Sequence, residues 1–177
     1  MNFKRLGART FCLLLLLWSG CDTGLAPLYE PSGFSGVLRF KNWPQPDSIR
    51  DLRIVAFTNF PSDSAGILTS LVQGKAIVYP AVGTSGLLGP GWVYRFSDSL
   101  QFSFTTENST LQIGNYEYVV VAFQYGPNIL TDWAPAAVYT TQPNSFTPAP
   151  IRVLLHRVIP DIDFTVDFTK PPPKPWR

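Results

Sequence analysis

Tyr116-Glu117-Tyr118-Val119-Val120-Val121-Ala122-Phe123-Gln124-Tyr125 is the stretch on which the fold turns. From Val119 to Phe123 every residue is apolar, and most are β-branched or aromatic. An extended strand points successive side chains to opposite faces, so this one is apolar on both. Such a strand belongs in the middle of its sheet, with material above and below it. Ile162 to Phe168 has the complementary pattern. Ile162, Phe164, Val166 and Phe168 fall on one side, and Asp163, Thr165 and Asp167 on the other. That period of two marks a strand with one face in the core and one in water. Weaker strand signals run over Val37 to Phe40, Leu52 to Thr58, Ala76 to Tyr79, Val93 to Phe96, Leu100 to Thr106, Val138 to Thr141 and Ile151 to Val158. Seventeen prolines and thirteen glycines interrupt the chain often. Residues 62–73 are the one helical stretch. Ser62, Asp63 and Ser64 offer caps, Ile67, Leu68, Leu71 and Val72 form the apolar stripe, and Gly66 weakens it. The expectation is an all-β chain: a single antiparallel β-sandwich of about 7–8 strands over residues 36–168, with one short helix.

The ends read differently. Lys4, Arg5 and Arg9 precede an apolar run, Phe11 to Trp18, that contains five consecutive leucines; Ser19, Gly20 and Cys21 follow. A positive start, a short apolar run and a small-residue site make residues 1–20 a secretory signal peptide. The run is too short for a spanning helix, which needs about 20 apolar residues. Residues 21–35 lack periodicity and read as a flexible tether. Residues 169–177, with Pro171, Pro172, Pro173 and Pro175, read as a polyproline tail. Three of the fourteen basic residues lie in the signal, so the remainder has eleven against twelve acidic residues and is slightly acidic. It has no clustered basic face for nucleic acid. Cys12 leaves with the signal, and Cys21 alone cannot form an intramolecular disulfide.

Ser19-Gly20-Cys21 resembles the lipobox of bacterial lipoproteins, with Trp18 where that family prefers leucine. The resemblance implies cleavage before Cys21 and a diacylglycerol on its sulfur, with palmitate-type acyl chains as the membrane anchor. Gly114-Asn115-Tyr116-Glu117-Tyr118, running into three valines, resembles the closing strand region of transthyretin-like and carboxypeptidase-regulatory-like domains. This implies a transthyretin-like or Ig-like sandwich. Leu52 to Phe57, Asp132-Trp133 after the Tyr125-Gly126 turn, and Val166-Asp167-Phe168 before the proline tail are similar to uncharacterised envelope lipoproteins of the Bacteroidota. Asp47-Ser48-Ile49, Asp63-Ser64-Ala65 and Asp98-Ser99-Leu100 resemble the O-glycosylation sequon of such envelope proteins, which makes Ser48, Ser64 and Ser99 candidate glycan acceptors in expected loops or turns. Asn108-Ser109-Thr110 matches an N-glycosylation acceptor and reads here as a turn.

Catalytic signals are sparse. His156 is the sole histidine, inside the expected strand Ile151 to Val158, and any serine–histidine–aspartate triad would have to use it. No Gly-x-Ser-x-Gly elbow is present. No metal or cofactor is expected; Asp161 and Asp163 suggest at most a weak calcium site. Trp43, Trp92, Trp133 and Trp176 lie near turns or prolines. Trp92 and Trp133, with Asp132 to hydrogen-bond a hydroxyl, are the candidate ligand-binding residues. The expectation is a non-catalytic, lipid-anchored envelope protein with a structural or interaction domain. It would face the periplasm or the cell exterior, and its glycan or protein partner is open. The alternatives are a carbohydrate- or peptide-binding module using the loop tryptophans and, behind it, a hydrolase.

Overall fold

The structure, a computed structural model, describes residues 30–45, 48–88 and 97–175. The expected signal peptide, Cys21, residues 22–29 of the expected tether, the expected Val93 to Phe96 strand, Trp92 and Trp176 lie outside the described residues.

Two sheets face each other across one core. The first has the order β10 (Phe164–Asp167), β1 (Gly33–Lys41), β4 (Ser99–Thr105), with β9 (Val158–Ile159) also paired to β1. The second has the order β3 (Ala76–Tyr79), β2 (Asp51–Phe57), β6 (Tyr118–Gln124), β7 (Trp133–Val138). β5 (Gly114–Tyr116) and β8 (Ile151–Val153) form a small pair beside them. One helix, α1 (Ser64–Val72), joins β2 to β3. The expected all-β, sandwich-like fold is therefore present, with one short helix among the described residues. Phe34, Leu38, Phe104, Phe164 and Val166 of the first sheet meet Leu52, Ile54, Val119 and Val121 of the second, all fully or almost fully buried.

The doubly apolar strand β6 is central, between β2 and β7. Val119 and Val121 enter the main core, while Tyr118 and Val120 join Phe57 and Ala76 in a second cluster outside the sheet. Ile67 and Leu71 of α1 cover that cluster. Burial there pushes the Tyr118 phenol well above its ordinary titration range. Asp63 caps α1, its Oδ1 accepting from the Gly66 amide at 2.6 Å.

Several strand boundaries differ from the sequence reading. The expected Tyr116 to Tyr125 strand is divided at Glu117: Tyr116 ends β5 and pairs with Ile151, and β6 starts at Tyr118. β1 begins at Gly33, so residues 33–35 of the expected tether belong to the sandwich, and Phe34 is fully buried. The expected strand Ile151 to Val158 is broken into β8 and β9 by a turn at His156, whose φ is 53°. The expected Val138 to Thr141 strand lies earlier, as Trp133–Val138. β7 is an edge strand, which tolerates Pro135 without a ladder N–H. The last strand is limited to Phe164–Asp167.

β9 and β10 both run parallel to β1. Between them the chain bulges through Pro160 and Asp161, whose φ is 61°. Ile162 N donates to Ser35 O at 3.0 Å, and the Asp163 carboxylate accepts from Val37 N at 2.9 Å, standing in for a ladder carbonyl. Gly36 is required at this point, because a Cβ there would collide with the Ile162 carbonyl.

The outer edge of β4 is closed by side chains at one end. Asn108 accepts from Thr105 N at 3.0 Å and donates to Ser103 O at 2.6 Å, and Ser109 Oγ donates to Thr105 O at 2.6 Å. The Asn108-Ser109-Thr110 triplet thus starts in a turn that seals a sheet edge.

Candidate functional site

The loop between β6 and β7, residues 125–132, and the first residue of β7 hold two of the residues singled out from sequence, Asp132 and Trp133. Asp132 is the loop's brace. Its Oδ2 accepts from Asn128 N at 2.9 Å, and its Oδ1 accepts from Thr131 Oγ1 at 3.0 Å. Its main chain accepts from Tyr125 N and donates to Asn128 O, each at 3.0 Å. Gly126 packs against this carboxylate so closely that a Cβ would overlap it. Asn128 Oδ1 takes the Leu130 amide at 2.9 Å, and Gln124 Nε2 donates to Gly126 O at 2.9 Å. Trp133 is half-buried, and its indole N–H donates to Ile129 O at 2.9 Å. Both candidate residues therefore hold the loop's own backbone.

At the apex of that frame stand Ile129, 68% exposed, and Leu130, 64% exposed, with Tyr125 partly exposed behind them. Sequence reading passed over this pair. Its signal was two adjacent aliphatic residues inside an otherwise turn-forming run, Gly126 to Asp132.

Trp43 is a packing residue. Its ring centroid lies 4.7 Å from that of Phe40 and 4.9 Å from that of Phe168, and its N–H donates to Ser97 O at 3.1 Å.

His156 stands on its exposed turn. Its backbone amide donates to Ser32 Oγ at 2.8 Å, and its Nδ1 is 3.3 Å from Glu30 O. The aspartates of the last strand are engaged separately. Asp163 binds Val37 N and the Arg39 guanidinium, the latter at 2.8 Å. Asp167 accepts from the Asn42 side chain at 2.9 Å and from the Thr169 hydroxyl at 2.7 Å. These bonds, Asn42 first, hold its carboxyl down at about 2. Among the described residues no group of three or more His, Cys, Asp or Glu side chains is placed to hold a metal ion.

Arg53 is the buried cation of the molecule's second sheet, 7% exposed. It donates to Asp51 Oδ2 and Pro80 O, both at 2.6 Å, and to Ala81 O and Thr84 O, both at 2.8 Å. It thereby clamps the segment after β3 onto β2.

A groove of about 680 Å³ runs between the segment 140–146 and β10. Thr140, Gln142 and half-exposed Phe146 line one side, and Thr165, Lys41 and Lys170 the other.

Of the three glycan candidates, all are exposed. Ser48 lies in a short turn, whereas Ser64 opens α1 and Ser99 opens β4, so two of them sit at element starts and not in the expected loops.

Comparison with known protein families, curated proteins and solved structures finds no match for this chain.

Proposed function

We propose that the chain is a lipid-anchored protein of the bacterial cell envelope, with a non-catalytic sandwich that serves a structural or interaction role. The observation that carries this reading is the order of residues 1–21: basic start, Phe11 to Trp18 apolar run, Ser19-Gly20, then Cys21. A further feature supports it. Ser32 and Phe34 are already buried in the sandwich, which leaves Asp22 to Pro31 as the stretch of sequence between Cys21 and the folded unit. A diacylglycerol with a further acyl chain holds a protein stably where a single chain does not. His156, on a turn against a main-chain oxygen, favours the non-catalytic role over a hydrolase.

The test is the intact mass of the mature protein extracted from native membranes. A chain starting at Cys21 and heavier by a diacylglycerol and an acyl group is the expected result. An unmodified chain in the soluble fraction overturns the anchor. Additional sugar mass would bring Ser48, Ser64 and Ser99 into the reading as acceptors.

The 680 Å³ groove favours a second reading, a carbohydrate-binding module. It combines one half-exposed aromatic ring, Phe146, with hydroxyl and amide side chains, the mixture that sugars require. In this version the groove takes the part expected of the loop tryptophans.

A further inference from the structure

We propose that the tip of the 125–132 loop seats in the surface of a lipid bilayer, with Ile129 and Leu130 as the inserted side chains. Three observations converge on this occupant. First, the turn at residues 129–131 presents two adjacent aliphatic side chains to solvent, at 68% and 64% exposure. Second, the loop's backbone is largely braced. The amides of Asn128, Leu130 and Asp132 and the carbonyls of Gly126, Asn128 and Ile129 have partners in the loop or in the strands beside it. Fewer free peptide groups lower the cost of seating the tip at headgroup depth, where hydrated headgroups meet the Ile129 amide and the Leu130 carbonyl. Third, the collar has interfacial chemistry. Tyr125 and Trp133 stand below the apex, and rings of this kind sit at headgroup depth. The nearby carboxylates are engaged, Asp132 by Asn128 and Thr131, and Asp51 by Arg53. Exposed Arg50, whose amide bonds Gln124 O at the base of the loop, adds a cation for anionic headgroups.

The loop leaves the sandwich where Phe123 meets Phe168, at the Lys41 end of β1; residue 30 enters at the Gly33 end. Nine strand residues separate the two ends by roughly 26 Å. The tip is therefore a second membrane contact, remote from the chain entry, and it does not require Cys21 to be acylated.

The experiment places a fluorophore on the tip. In the full chain carrying Cys12→Ala and Cys21→Ala, Leu130→Cys is labelled with an environment-sensitive nitrobenzoxadiazole probe. Val82→Cys, a somewhat more exposed position elsewhere, carries the same probe as the reference. Each is mixed with vesicles of phosphatidylethanolamine and phosphatidylglycerol containing a lipid with a nitroxide near the top of its acyl chain. The expected result is at least about threefold stronger quenching at 130 than at 82, abolished by adding Ile129→Asp. Equal quenching at both sites overturns the proposal, whether or not the chain floats with the vesicles. Stronger quenching at 82 than at 130 on a membrane-bound chain also overturns it, because a different face then meets the lipid. Because acylation is removed in this chain, failure here is separate from failure of the mass measurement.

Discussion

Two arginine–aspartate pairs stand on the outer faces of opposite sheets, and they behave as different interactions. Arg53–Asp51 lies on the second sheet at 2.6 Å, with side-chain exposures of 9% and 18%. Arg39–Asp163 lies on the first sheet at 2.8 Å, with exposures of 53% and 40%. The difference follows from what covers each face. The second sheet is roofed by α1 over Val120 and Tyr118, and by the 80–84 segment over Arg53. The first presents Arg39, Gln101, Ser103 and Thr165 to water. A covered face turns a charge pair into an anchor with every donor assigned. An open face leaves water to do much of the same work.

The largest effect expected is from Val120→Asp, which buries an unpaired carboxylate beneath α1. It should cost on the order of 3 kcal/mol or more in chemical denaturation, whereas Gln101→Lys on the open face should stay within about 0.5 kcal/mol. Equal effects would mean that the roof is not a packed layer. Arg53→Met comes next. It strands Asp51 and three carbonyls, and a loss of about 3 kcal/mol is expected, with earlier proteolytic cutting between residues 80 and 88. Leu71→Ala thins the roof from its half-buried side, and a loss of about 1–2 kcal/mol should appear as a lower Tm. Arg39→Ala should change stability by about 0.5 kcal/mol or less, shrinking further in high salt, since Asp163 keeps its bond to Val37 N.

The smallest effect is a pH dependence on the open face. Asp167 has its folded pKa depressed from 3.8 to about 2. The folded state therefore binds this proton less readily than the unfolded chain, and its contribution to stability is complete above about pH 4. It fades as the pH falls from 4 through 2. Asp167→Asn should flatten the acid limb of a Tm-against-pH curve in that window and leave neutral pH nearly unchanged. An identical acid limb would remove Asn42 and Thr169 as the cause.

The sequence made these two faces legible because side-chain parity reports coverage. Val119 to Phe123 required material on both sides, and Ile162 to Phe168 required water on one. What stayed hidden was set by pairing between distant segments. Gly33, Ser35 and Gly36 have no strand preference of their own; they are extended because β4 and β9 flank them and Ile162 approaches Gly36. The parallel pairing of β9 and β10 with β1 leaves no local trace. Leu154-Leu155-His156-Arg157 looks continuous, yet His156 takes a left-handed turn stabilised by Ser32, a contact 124 residues away. At the loop, Asp132 and Trp133 stood out as residue types, but their bonds face inward. The exposed Ile129 and Leu130 were inconspicuous as letters, because their meaning comes from a frame that only the fold assembles.

Asn108 has one more consequence, which concerns crowds of this molecule. An edge strand is a template on which a second chain can lay its own backbone, and sheets grow into insoluble ribbons that way. Along β4 the template is written over at Ser103 and Thr105 by a side-chain amide and a hydroxyl. Along β7 it is interrupted by Pro135. A neighbouring copy that tried to extend the sheet along either of these two strands would lose ladder bonds at those positions, and growth through them is hindered there.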